Sequence, residues 1–130
     1  MRQCTTTVRV RYKDTDQMGV VYYSNYMVWF EVARAELFRK IGHTYKEMEQ
    51  KLGLRLMVIE AYCRYMLPAR YDDLVRVGCR LTDVRNSSIV FEYTVKREGE
   101  ILAKGKTAHV FCDPAGRPKR IPQDLREALR

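Results

Sequence analysis

Between Met27 and Ile41 ten of fifteen residues are apolar, and in the first half of that run, MVWFEVA, they fall on nearly every side of a helix. A helix that is apolar all round is stable in water only if the rest of the chain wraps it. Its ends are marked as well. Ser24 or Asn25 can cap the N-terminus, and Gly42 can end the helix in a left-handed conformation. Charges collect toward the end of the run, at Arg34, Glu36, Arg39 and Lys40, which predicts a buried N-terminal end and a C-terminal end that emerges to solvent.

The wrapping has to come from strands. Residues 5–12 alternate Val8, Val10 and Tyr12 with Arg9 and Arg11, the period of a half-buried strand. Residues 54–67, 74–84, 88–96 and 101–112 are long segments rich in Val, Ile, Tyr, Phe and Thr. Their joints at 68–73, 85–87 and 98–100 are short and turn-like, which implies antiparallel neighbours. Thr44 and Glu47 have capping-box spacing for a short second helix, and Pro122 opens a closing one. One strand, one apolar helix and four further strands in 130 residues predict a single α+β domain over residues 1–130, with an antiparallel sheet curled around the helix.

Just ahead of the helix, residues 14–26 read DTDQMGVVYYSNY. Two carboxylates, a turn glycine and a helix N-terminus converge there. A helix N-terminus offers unpaired N–H groups and partial positive charge, which suits an oxyanion developing on a carbonyl. A carboxylate beside it can act as nucleophile or as general base, a role the residues alone leave open to Asp14 or Asp16. Asp14 can equally serve as a turn cap, and Gly19 reads as a turn glycine that could also let the backbone approach a substrate. Glu31 on the helix is a competing carboxylate, with an ion pair to Arg34 three residues on as its simpler role. His43 and His109 read as structural.

Cys4, Cys63, Cys79 and Cys112 form no CxxC pair and have no His at ligand spacing, so no metal site and no disulfide framework is expected. No apolar run is long enough to span a bilayer and no signal peptide opens the chain, so a cytoplasmic location is expected. The formal charge of +8 invites an anionic partner, but the basic residues are scattered along the sequence and no nucleic-acid-binding motif is present; no nucleic-acid partner is expected.

The stretch DTDQMGVVYYSNY, the helix WFEVARAELFRKIG and the later PARYDDLV together resemble the hotdog-fold acyl-CoA thioesterases, in particular the 4-hydroxybenzoyl-CoA thioesterase family and its Tol-Pal-associated branch. The resemblance runs from about Val8 to Leu125. It implies a five-stranded antiparallel sheet around one long helix, homodimers with a continuous sheet and shared active sites, and a homotetramer. It further implies acyl-CoA, or an acyl carrier protein thioester, as substrate in lipid metabolism, with no cofactor. It places the catalytic carboxylate on Asp16 and the carbonyl-polarising backbone N–H on Tyr23. Gly19, Val20 and Tyr22 join them as substrate-binding residues, and Arg85, in the turn Arg85-Asn86-Ser87, as the contact to the CoA phosphates. Met18, Met27, Trp29, Tyr65 and Met66 are candidates for the acyl pocket. Where many relatives carry His, this chain carries Tyr23, so the implied chemistry rests on a carboxylate and a backbone donor without an imidazole. The alternative is a non-catalytic hotdog protein that binds acyl-CoA or acyl carrier protein.

Overall fold

The structure is a computed structural model and describes residues 2–130. Five strands form one antiparallel sheet: β1 (Gln3–Arg9), β2 (Arg55–Tyr65), β3 (Leu74–Val84), β4 (Ser88–Arg97) and β5 (Glu100–Cys112), in the order β1-β3-β4-β5-β2. The long helix α1 (Asn25–Lys40) lies against one face, and α2 (Tyr45–Lys51) and α3 (Gln123–Leu129) are short. The Thr44 hydroxyl accepts from the Glu47 amide at 3.1 Å, so the predicted cap of α2 is present. Gly42, at φ +85°, ends α1, and the His43 amide bonds back to the Phe38 carbonyl at 2.9 Å.

The core forms where the apolar positions of α1 meet the inward side chains of the sheet. Tyr26, Trp29, Phe30, Ala33, Leu37 and Phe38 are buried. They pack over Val75, Val77 and Leu81 of β3, Phe91, Tyr93 and Val95 of β4, and Ala103 and Phe111 of β5. At the centre the Phe30 ring stacks on Tyr93 with centroids 4.2 Å apart. Its edge lies over the β5 backbone at Gly105, where an added Cβ would overlap the ring. The helix therefore sits on the sheet at a height set by one glycine.

Two expectations need correction, and one strand is more exposed than its apolar composition suggests. β1 ends at Arg9, and Tyr12 is an exposed side chain whose ring packs at a tilt against Tyr71 with centroids 4.9 Å apart, not a strand residue facing inward. The chain leaves the sheet there because the Arg11 amide is captured by the Asp14 carboxylate at 2.8 Å, in a single 3-10 turn, Tyr12–Asp14. Burial of α1 also runs along one face for its whole length rather than concentrating at its N-terminal end. Leu37 and Phe38 are buried, whereas Val28 and Val32, one turn apart on another face, are exposed. Finally, β2 is an edge strand with one neighbour and is exposed on both faces, with Met57, Val58, Ile59, Tyr62 and Tyr65 open to solvent.

One polar chain crosses the core. The Arg34 guanidinium reaches under the sheet to donate to the Tyr93 hydroxyl at 3.4 Å. Tyr93 shares a hydrogen bond with Thr107 at 2.5 Å, and Thr107 one with His109 Nε2 at 2.7 Å. Burial, reinforced by the nearby Arg34 charge, pushes the His109 imidazole down to about 3. Folded protein thus holds His109 neutral, while the unfolded chain takes up its proton below the ordinary value of 6.5. The stability that depends on the neutral ring is complete above pH 6.5 and is lost as pH falls toward 3.

Two outcomes follow. Across that acidic window His109→Gln flattens the fall in stability by up to about 1.4 kcal/mol per pH unit, read from urea midpoints at successive pH values; curves parallel to wild type would contradict the assignment. Gly105→Ala overpacks the Phe30 seat and lowers stability by about 1–3 kcal/mol, and pairing it with Phe30→Leu recovers part of the loss.

Candidate active site

The segment ahead of α1 is folded by its own polar residues. Asp14, buried, uses its carboxylate on the Arg11 amide, while its carbonyl accepts from the Tyr22 amide at 2.9 Å and from the Asn25 side chain at 2.8 Å. It ties the exit of β1 to the start of α1 and serves as scaffold. Asp16 to Gly19 form a tight turn: the Gly19 amide donates to the Asp16 carbonyl at 3.0 Å, the Asp16 amide donates to the Val20 carbonyl at 2.9 Å, and Thr15 bridges to Val21. Gly19 has φ +78°, which a side chain would strain. It lies at the turn tip, outside the lining of the cleft described below.

Asp16 is half-buried, and its Oδ1 accepts from the Met18 amide at 2.8 Å. That bond fixes the carboxylate and leaves Oδ2 without a protein partner among the described residues. A few residues on, the amides of Val21, Tyr22, Asn25, Tyr26 and Met27 all find backbone acceptors, whereas those of Tyr23 and Ser24 have none among the described residues. Ser24 occupies the N-cap position without a side-chain cap, and the polar side chain of Asn25 is turned back to Asp14. The helix start therefore presents donors that nothing in the chain consumes.

These two elements share one cleft of about 340 Å³, lined by Asp16, Val20, Val21, Tyr22, Tyr23, Tyr26, Tyr65, Met66, Leu67 and Pro68. Of the expected site residues, the structure brings Asp16, Val20, Tyr22 and Tyr23 together there. Tyr65 and Met66 of the expected acyl pocket also line it. Met18 points to solvent, Met27 is half-buried against the core, and Trp29 is buried beside Tyr26 at 4.8 Å.

Sequence reading gave no role to the loop 68–73, which in the structure clamps the site. The Ala69 carbonyl accepts from the Val21 amide at 2.8 Å, and its amide donates to the Tyr26 hydroxyl at 3.3 Å. The loop itself is locked by Asp73, which accepts from Arg97 and from the Arg70 amide, each at 2.8 Å, while Arg97 also reaches the Pro68 carbonyl at 3.1 Å. Partial burial opposes ionisation of Asp73, but these donors outweigh it and hold the carboxyl below its ordinary range. Tyr65 closes the other wall by donating to the Tyr23 carbonyl at 2.9 Å. Burial first, and then the adjacent Cys63 thiol, push the Tyr65 phenol up, so it remains a donor at neutral pH.

The remaining candidates lie elsewhere. Glu31 is exposed and borders a separate cavity of about 210 Å³ with Arg34, Tyr45 and Met48. The expected Glu31–Arg34 ion pair is absent among the described residues, because Arg34 is drawn into the core by Tyr93. Arg85 lies in the β3–β4 turn, paired with Asp83 at 2.9 Å. That turn has a second cation that sequence spacing did not reveal: Arg126 of α3 donates to the Arg85 carbonyl at 2.9 Å. Among the described residues no cluster of three His, Cys, Asp or Glu side chains is placed to hold a metal ion, and no helix is long and apolar enough to cross a membrane.

Comparison with known proteins places the chain in a family. The thioesterase-like superfamily profile matches residues 10–129. The acyl-CoA thioesterase YbgC of Haemophilus influenzae is 33% identical over 124 residues, covering 94% of this chain and 90% of that protein. The solved structure of a DHNA-CoA thioesterase from Staphylococcus aureus superposes with a TM-score of 0.93 at 32% identity, covering 98% of this chain and 89% of the other. The 4-hydroxybenzoyl-CoA thioesterase of Pseudomonas sp. strain CBS-3 superposes with a TM-score of 0.90 over 98% of this chain and 99% of its own; at 23% identity this is a likeness of fold. With a hotdog sheet around one helix, and a profile match that takes in the cleft, α1 and all of β2 to β5, the chain belongs to the thioesterase-like superfamily.

Proposed function

We propose that the protein is an acyl-CoA thioesterase that hydrolyses its substrate to the free acid and CoA at the Asp16 cleft. The observation that carries this reading is the pairing, in one cleft, of a carboxylate with a free oxygen and a helix start with unused N–H donors. The thioester carbonyl oxygen takes the Tyr23 amide as donor, which stabilises the negative charge that develops as the carbonyl carbon becomes tetrahedral. Asp16 Oδ2 then acts in one of two ways. As general base it removes a proton from water as the water oxygen bonds to the carbonyl carbon, and the C–S bond breaks to release CoA. As nucleophile it bonds to that carbon itself, expels CoA and leaves an anhydride that water cleaves. Tyr22, Tyr65, Met66 and Leu67 supply the apolar wall for the acyl group, and Gly19 shapes the turn that presents Asp16.

The cleft is open and its neighbour β2 is an unpaired edge, so the site is proposed to be completed by a second copy. A long apolar edge strand is an aggregation hazard unless it is paired. Antiparallel pairing of β2 with β2 of a second chain would continue the sheet, cover Met57 and Ile59, and bring Val28 and Val32 of α1 toward a partner. A homodimer is the minimal unit, and the homotetramer is its further association. Arg85 and Arg126, at the β3–β4 turn, are proposed to meet the CoA phosphates, for which a guanidinium fork is well matched.

The expected outcome for Asp16→Asn is a fall in kcat of about 100-fold or more with KM little changed, measured with acyl-CoAs and a thiol reagent. No hydrolysis of any aliphatic or aromatic acyl-CoA, or of an acyl carrier protein thioester, above the Asp16→Asn rate would leave the non-catalytic binding role in its place. Ile59→Asp on the β2 edge is expected to give a monomer by sedimentation, with activity lost in parallel.

A further inference from the structure

The face of the sheet turned away from α1 carries a charge pattern that thioester hydrolysis does not use. Strand register gathers it from four strands. Thr7, Arg76 and Lys96 lie in one row; Thr5, Gly78, Thr94, Lys104 and Arg64 in the next; Gln3, Arg80, Glu92, Lys106 and Tyr62 in a third. All six cations are exposed. Glu92 is the one acid in these rows, and it is engaged by Arg80 at 3.6 Å and lies opposite Lys106. A depression of about 800 Å³ lies among Arg76, Arg80, Lys96 and Lys104, floored by Gly78 and Thr94.

Two of the cross-strand neighbours are like-charged, Arg76 opposite Lys96 and Lys104 opposite Arg64. Such pairs destabilise a sheet, and an anionic partner on this face would neutralise them. A second copy of this chain cannot do so through the same face, because six cations would meet six within a Debye length of about 10 Å. A nucleic-acid duplex needs an element that enters a groove, and a single strand needs aromatic platforms; this face offers threonines and a glycine at its centre. It is broad, with no protruding element, and its cations are on long flexible stems. A fluid layer of anionic headgroups can rearrange to match it. Tyr62, exposed at the β2 edge of the same face, is an amphipathic ring of the kind favoured at a bilayer surface.

We propose that this face docks the protein on an anionic lipid bilayer, with Arg64, Arg76, Arg80, Lys96, Lys104 and Lys106 as the contact surface. The test is co-sedimentation of the full chain with vesicles of phosphatidylcholine alone and of phosphatidylcholine with about one third phosphatidylserine, over a salt series. Binding is expected to the anionic vesicles only and to weaken steeply with salt. The Arg76→Gln/Lys96→Gln/Lys104→Gln variant is expected to lose about 100-fold in partitioning, and the corresponding triple Glu variant more than that. The Gln variant should unfold at or slightly above the wild-type midpoint, because it removes both like-charged neighbours, and both variants should keep the hydrolysis rate of a soluble short-chain acyl-CoA. Equal binding to neutral vesicles, or retention of binding in both variants, would overturn the proposal. So would capture by an oligonucleotide or a polyglutamate peptide with no vesicle binding, or a change in oligomeric mass in the variants with vesicle binding intact.

Discussion

The contact on which the molecule depends is that of Phe30 with the sheet. Its ring lies parallel to Tyr93 and over bare backbone at Gly105, so α1 approaches the sheet more closely there than any side chain on β5 would allow. Burying such a ring is worth about 2 kcal/mol. Its larger effect is geometric. It fixes the height of the helix at a point little more than one turn from its N-terminus, and so fixes where the Tyr23 and Ser24 amides point. The half-buried Arg34, held by Tyr93 one turn later, keeps the helix from rotating about that seat.

With the helix fixed, the site needs only to have its two chemical groups held against it. Asp14 spends its carboxylate and carbonyl on that task and leaves Asp16 free. The loop 68–73 braces the same segment from the other side through Ala69, and Arg97 secures that loop through Asp73. The division of labour between the two aspartates comes from burial and position: each carboxylate accepts one amide, but Asp14 is buried, whereas Asp16 is half-buried and lines the cleft.

Much of this could be read from the sequence because it is written in local patterns. The strands β3, β4 and β5 follow from β-branched and aromatic runs between short turns, and the helix from its apolar run and Gly42. The segment 14–26 stood out because carboxylates, turn and helix start are close in sequence, and the choice of Asp16 and Tyr23 within it came from the resemblance to thioesterases. What escaped depends on partners distant in the chain. Ala69 is an ordinary residue in a polar loop until it meets Val21 and Tyr26. Glu31 and Arg34 have ion-pair spacing, yet the core hydroxyl of Tyr93 takes the guanidinium. The run 54–67 reads equally as a buried strand or as an edge awaiting a partner, since apolar composition does not say whose core it enters. The cations of the outer face looked scattered because they are spread over four strands and gather only through register.

The central claim is that one cleft brings a carboxylate and an unpaired helix-start donor to the same thioester carbonyl. A crystal structure of the Asp16→Asn protein with an acyl-CoA tests it most directly. The thioester carbonyl oxygen is expected about 2.7–3.1 Å from the Tyr23 amide nitrogen, with the substituted carboxamide at position 16 facing the carbonyl carbon. A carbonyl bound away from the Tyr23 amide, for instance in the cavity beside Glu31, would contradict it.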